Sequence, residues 1–458
     1  MSQAAAIAAH RFGLGEASLG VVGNDGPGWL LAQIGPADAQ SGADLPDTAA
    51  ALARYTALFQ QQTQARLAAP PAPDPQGAAS GAAPQTPVDD INAQFRLMVQ
   101  ADQRARLATA AVTTRPYPER LALFWSNHFS VSTGKGTVRG LAGAFERDAI
   151  RPHVAGSFEA LLGAAVRHPA MLRYLDNDFS SGPASPAVRR LERLGTFAPG
   201  TRGLNENLAR EVLELHTLGV NGGYTQADVT AFAAVLTGWR PAGFQPAWHE
   251  PGTKTVLGRR YAEGPQALGE LLRDLALHPS TARFIATKLG RHFLADDPPA
   301  SLVDRLAAVW QRTEGDLQAV ATELVRSPEA WRGGPSKLKT PEEFVISSAR
   351  LLGLGGSAFE RASDGGTTAM GQRPQGAPSP AGWSDRAADW LGPDAVWKRV
   401  EWANRVGARV GGRIDGRILA ADAMGPWLSP DTRRELERAA DGQQALTLLL
   451  LAPEFQRR

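Results

Sequence analysis

Cysteine is absent from this 458-residue chain, which excludes disulfides, thiol nucleophiles and thiolate metal sites. That absence leaves the compartment open, because a cysteine-free chain is stable on either side of a membrane. Lysine is nearly as scarce: it supplies six of the 48 basic residues, and arginine supplies the rest. No excess of one charge exists either, since the formal net charge is only +2. The basic residues are interspersed with acids and form no run suited to a phosphate backbone, so nucleic acid is not an expected partner. Long apolar runs are missing too. The longest, Ala445 to Ala452, falls well short of the ~20 residues that a spanning helix needs. The opening residues MSQAAAIAAHRFGLG lack both the basic start and the long apolar core of a signal peptide. A soluble protein is expected, cytoplasmic by that criterion, with a periplasmic location or export alongside a partner as the other option. Gly13-Leu14-Gly15 is no phosphate loop, because no strand precedes it.

What is present is helical. In NENLAREVLELHTLGVNGGYTQ, from Asn205 to Gln226, the residues Leu204, Leu208, Val212, Leu215 and Leu218 fall on one stripe at helical spacing. Glu211 projects into that stripe, with Asn207 and Glu214 on its borders. A carboxylate aimed at a core must be paired, protonated or metal-bound. A salt bridge to a core arginine, metal ligation and proton transfer are therefore all open for Glu211. Glu206 and Arg210 suit a surface ion pair, and His216 and Thr217 are expected off the stripe. Gly219, Gly222 and Gly223 then permit a reversal, and Thr225 with Asp228 resembles a capping box for the next helix.

A second polar intruder lies in the helix expected from Pro118. Its stripe is Leu121, Phe124, Trp125, His128 and Phe129, so His128 lies on an aromatic core face. The expectation is that Asn127, His128, Asn207, Glu211 and Glu214 surround one buried or cleft-lining site. Its chemistry would be either a divalent metal held by Glu211, Glu214 and His128 or acid–base catalysis by Glu211 and His128. His249, Glu250 and Lys254 sit in a β-like insert at 244–261, with His249 and Lys254 as further binding candidates. Helix–proline junctions recur at His168-Pro169, His278-Pro279, Ser327-Pro328 and Ala452-Pro453; simple junction chemistry gives His168 and His278 no chemical role. Residues 68–87 form a Pro/Ala-rich flexible loop and 353–381 a Gly/Pro-rich loop. Trp383, Trp390, Trp397 and Trp402 read mainly as core packing.

NENLAREVLELHTLGVNGGYTQADV with LTGW, and RFGLG, LFWSNHFSV, HPAMLRYLDN, HEPGTKTVLG, GQ…P…P.GW and LLLAPEFQRR, together resemble the bacterial family catalogued as domain of unknown function 1800. The resemblance spans nearly the whole chain. It implies bacterial origin and one long, mostly helical unit, with no assigned activity or catalytic residue. Relatives more commonly have Asp where Glu250 stands. The resemblance also implies a candidate partner, a secreted protein similar to the sulfatase and phosphatase superfamily, often encoded next to relatives. The expected fold is all-α, one large domain over residues 1–458 with a small β-hairpin insert. Two functions are open: a binding or assembly protein working with such a partner, and a metal-assisted or carboxylate/histidine hydrolase around Glu211 and His128.

Overall fold

Prolines and small polar residues set where the helices start. Pro116, Pro169, Pro279, Pro341 and Pro393 each open a helix, where a missing N–H costs nothing and the fixed φ already suits the turn. Ser157, Asp316, Ser429 and Asp441 accept the orphan N–H groups of four others. Thr225 and Thr340 form full capping boxes with Asp228 and Glu343. His168 and His278 accept from Ala170 N and Ser280 N, both at 3.1 Å. They act as helix caps, so junction chemistry accounts for both.

The computed structural model describes residues 2–68, 87–196, 198 and 203–458. The expected loop at 68–87 lies almost wholly outside the described residues. The fold is predominantly α-helical, as the sequence predicts, with two small antiparallel hairpins among the described residues. The first, Trp239–Arg240 with Gly243–Phe244, starts earlier than the predicted insert; the second, Lys254–Val256 with Arg259–Tyr261, falls within it. The 353–381 segment is built of turns and a short 3-10 helix, Gly355–Phe359, packed on the long helix Pro87–Val112. Among the described residues no helix is long and apolar enough to cross a membrane. Of the four tryptophans, Trp390 and Trp402 are buried as expected, whereas Trp397 faces solvent.

One hydrophobic cluster runs from Ala5 to Phe455. A smaller one, with Tyr55, Leu58, Ile91, Phe95 and Met98, joins the helices Thr48–Ala68 and Pro87–Val112. Both ends of the described chain enter the interior. Ala5 to Phe12 are buried, and Arg458 is wholly enclosed, its backbone paired with Ser336 and Lys337. That pairing brings the guanidinium of the last residue against Glu343, deep in the fold.

Candidate functional site

The Asn207 helix departs from regular geometry. It is α-helical over Asn207–Glu211 and π-helical over Val212–Thr217. Leu218 N–H reaches back five residues to Leu213 O at 2.9 Å. The wider turn rotates the later residues about the helix axis. His216 and Thr217, expected off the apolar stripe, are therefore both 0% exposed. Glu211, expected inside, is only half-buried. Burial and the neighbouring Glu214 raise its carboxyl above the usual range. Glu206 and Arg210 do form the predicted i,i+4 pair, at 3.2 Å. Asn207 is exposed near the helix start.

The shared site expected around Glu211 and His128 is corrected accordingly. Neither group is among the charges acting on the other. His128 is enclosed by Phe124, Trp125, Phe129, Phe284 and His216, while Glu211 and Glu214 face the two tyrosines Tyr174 and Tyr224. Among the described residues no group of three or more His, Asp or Glu side chains is placed to hold a metal. Glu211, Glu214 and His128 are therefore not gathered into a ligand set among the described residues.

His128 meets His216 instead. Its Nε2–H donates to His216 O at 3.1 Å, and the rings lie 5.9 Å apart. His128 Nδ1 and both His216 nitrogens are buried without a hydrogen-bond partner. Burial keeps both imidazoles neutral, His128 well below its ordinary value and His216 down to about 3. Lys288, on the helix Pro279–Phe293, adds a positive charge that acts on both. Burial lowers its own amine to about 8.

One turn beyond Lys288, His292 brings a carboxylate and an imidazole together. Its Nδ1–H donates to Asp385 Oδ1 at 3.0 Å, and its Nε2 is buried without a partner in the protein. Burial lowers the imidazole; Asp385 works against that shift. Behind the pair lies a hub on the helix Pro341–Leu351. Glu343 accepts from Arg120 at 2.6 Å and forms an ion pair with Arg458 at 2.7 Å. Burial alone would raise this carboxyl, but Arg458 and Arg120 outweigh it and hold it far below the usual range. A cavity of about 40 Å³ is lined by His292, Asp385, Arg120, Glu343, Gln372 and Trp383, among others. A site needs only ~10–15 Å³ of such space to hold a water molecule.

Asn127 also borders this cavity, as a clamp. Its amide donates to Trp383 O at 2.8 Å and accepts from Trp383 N at 2.7 Å. Asn127→Ala is expected to cost about 1–2 kcal/mol and to raise amide exchange through residues 379–385; unchanged exchange there would refute the clamp. The remaining candidates, His249 and Lys254, serve each other within the insert. His249 donates to Thr237 O at 2.8 Å and accepts from Lys254 Nζ at 3.1 Å. Lys254 also donates to Glu250 O. Sequence reasoning missed His292, Asp385, Glu343, Arg120 and Arg458. Two of these had a signal nearby: Asp385 lies two residues after the GQ…GW motif, and Arg458 ends LLLAPEFQRR.

Among known proteins, a family model described as "Protein of unknown function (DUF1800)" matches residues 7–457. No curated protein and no solved structure matches the chain.

Proposed function

The chain belongs to the DUF1800 family of proteins of unknown function, and on that premise we propose that it is a hydrolase working through a histidine–carboxylate pair, His292 and Asp385. This takes up the hydrolase, the alternative of the two readings left open by the sequence, and moves its chemistry to other residues. One observation carries it: His292 has its Nδ1–H fixed by Asp385, while its buried Nε2 has no protein partner beside a water-sized cavity. A neutral imidazole held in that tautomer is poised as a general base. Nε2 takes a proton from water as the water oxygen bonds to the electrophilic carbon of an ester. The bond to the leaving oxygen then breaks, and the imidazolium returns its proton to that oxygen. Asp385 stabilises the imidazolium in between. Gln372, Trp383 and Ser384 wall one side of the cavity, and on this proposal a substrate larger than water enters by displacing them.

The test uses p-nitrophenyl acetate as probe, with His292→Ala and Asp385→Asn. Both are expected to lower kcat by about 10²- to 10⁴-fold. Because Asp385 works to raise the His292 pKa, residual activity in Asp385→Asn should show its acid limb moved to lower pH. Rates within twofold of the unsubstituted protein for both variants would end this reading. The other reading, a binding or assembly protein with a sulfatase- or phosphatase-like partner, is favoured if those rates hold and a pull-down recovers one stable partner. One large domain over 1–458 is part of this proposal, supported by the hydrophobic cluster that joins Ala5 to Phe455.

A further inference from the structure

Sequence order disperses the arginines, but the fold gathers five of them around one cleft. On the helix Pro87–Val112, Asn92, Arg96, Val99, Gln100, Gln103 and Arg104 recur at helical spacing, so they share a face. That face forms one wall. Arg139 comes from the segment after the Pro116–His128 helix, and Arg361 and Arg373 come from the turn-rich segment opposite. All five arginines are exposed, and among the described residues none has an ion-pair partner. The cleft has a volume of about 780 Å³. Its acidic member, Asp364, is already engaged: its oxygens accept from Gly366 N at 3.0 Å and Thr368 N at 3.2 Å.

Five guanidinium groups against the one carboxylate of Asp364 leave the cleft with an excess of positive charge that concentrates anions. Their planar forks match carboxylate and sulfate oxygens two at a time. Arg96 and Arg104 are eight residues apart on one helix, or about 12 Å along its axis. That spacing suits acids on separate rings of a sugar chain. Gln103 and Thr133 are engaged with the carbonyls of Pro374 and Gln375, but Asn92, Gln100, Ser363 and Thr368 stand between the arginines with amides and hydroxyls. These suit sugar hydroxyls. The aromatic residue in the lining, Phe95, is only 5% exposed, so the cleft offers no platform for stacking nucleobases.

We infer that this cleft binds an acidic polysaccharide bearing carboxylate or sulfate groups. The site is separate from the His292–Asp385 pair. The two approach each other at one strand of backbone: Arg373 lines the cleft while its neighbour Gln372 lines the cavity beside His292. Binding in the cleft does not depend on chemistry at His292.

The experiment measures binding of the full chain to dextran sulfate and to polygalacturonate, with neutral dextran and oligodeoxythymidine as comparisons. At least one of the two acidic polysaccharides should bind, more weakly as salt is raised. The double variant Arg361→Glu/Arg373→Glu should bind at least tenfold more weakly, with an unchanged melting temperature because both side chains are exposed. Arg96→Glu, on the facing wall, supplies an independent second variant with the same expected direction. Arg433→Glu, on a different exposed helix, and His292→Ala should bind as the unsubstituted protein does. Failure of both acidic polysaccharides to bind, equal binding of neutral dextran, or undiminished binding by the cleft variants would overturn the inference. Tighter binding of oligodeoxythymidine would overturn it in favour of nucleic acid.

Discussion

Glu343→Gln should unfold this protein far more easily than a single conservative substitution normally does, by about 3–5 kcal/mol. The reason is charge left without a counter-ion. Glu343 accepts from Arg120 and pairs ionically with Arg458, and the side chains of those two arginines are 3% and 0% exposed. Burial already pulls Arg120 down to about 9, against the pull of Glu343 in the other direction. Without the carboxylate, two cations remain in the interior, each repelling the other. Gln cannot repair this, because its amide offers neither charge nor two accepting oxygens. If the Gln amide oxygen keeps the cap with Thr340, in which Glu343 Oε2 accepts from Thr340 N at 2.9 Å, the amide nitrogen is left facing the two guanidinium groups. Urea unfolding at pH 7.5 checks the effect. A loss below about 1 kcal/mol, the range of exposed pairs, would mean that the centre is not held together by ions.

His216→Leu should act in the opposite direction, and increasingly so in acid. Both ring nitrogens of His216 are buried without partners, and such a group costs about 1–3 kcal/mol relative to a satisfied or apolar one. At pH 7.5 the variant is therefore expected to be more stable by up to that amount, less what is lost with the ring contact to Phe129 at 5.1 Å. The acid dependence follows from linkage. His216 stays neutral in the folded chain down to about 3, whereas in the unfolded chain it takes up a proton below about 6.5. The unfolded state thus binds more protons between those values, and stability falls as pH falls. The slope for one such group is about 1.4 kcal/mol per pH unit. Between pH 6.5 and 5 the advantage of the variant should therefore grow by about 2 kcal/mol. Glu119 and Asp102, which burial raises, have the opposite pH dependence, but they are common to both proteins and cancel in the difference. Parallel stability curves for the two proteins would show that His216 is not buried neutral.

The two substitutions also separate roles within the centre. Glu343 holds cations in place, and its depressed carboxyl loses its contribution only below the ordinary carboxylate range. The His216 ring stores cost without any hydrogen bond of its own. The π-helical turn that turns it inward is the kind of irregularity that collects at functional sites, and His216→Leu tests whether activity depends on it.

The helical class, the caps and the helix junctions were legible in the sequence because they are local. Thr225 finds Asp228 three residues away, and Pro279 presets its own turn. The aromatic core face carrying His128 followed from its spacing for the same reason. Three things were not local. The π-helical turn from Val212 to Thr217 changed the phase of the helix, so the ideal period aimed Glu211 inward and His216 outward. The pairs His292–Asp385 and Glu343–Arg458 join residues 93 and 115 positions apart in the numbering. The five arginines of the cleft arise from separate segments and form no run. The chain by itself therefore determined a helical protein with polar groups on core faces, because periodicity and capping act within a few residues. Only the tertiary structure decided which charges are buried together and which gather at the surface, because burial and Coulomb forces act on distance in space.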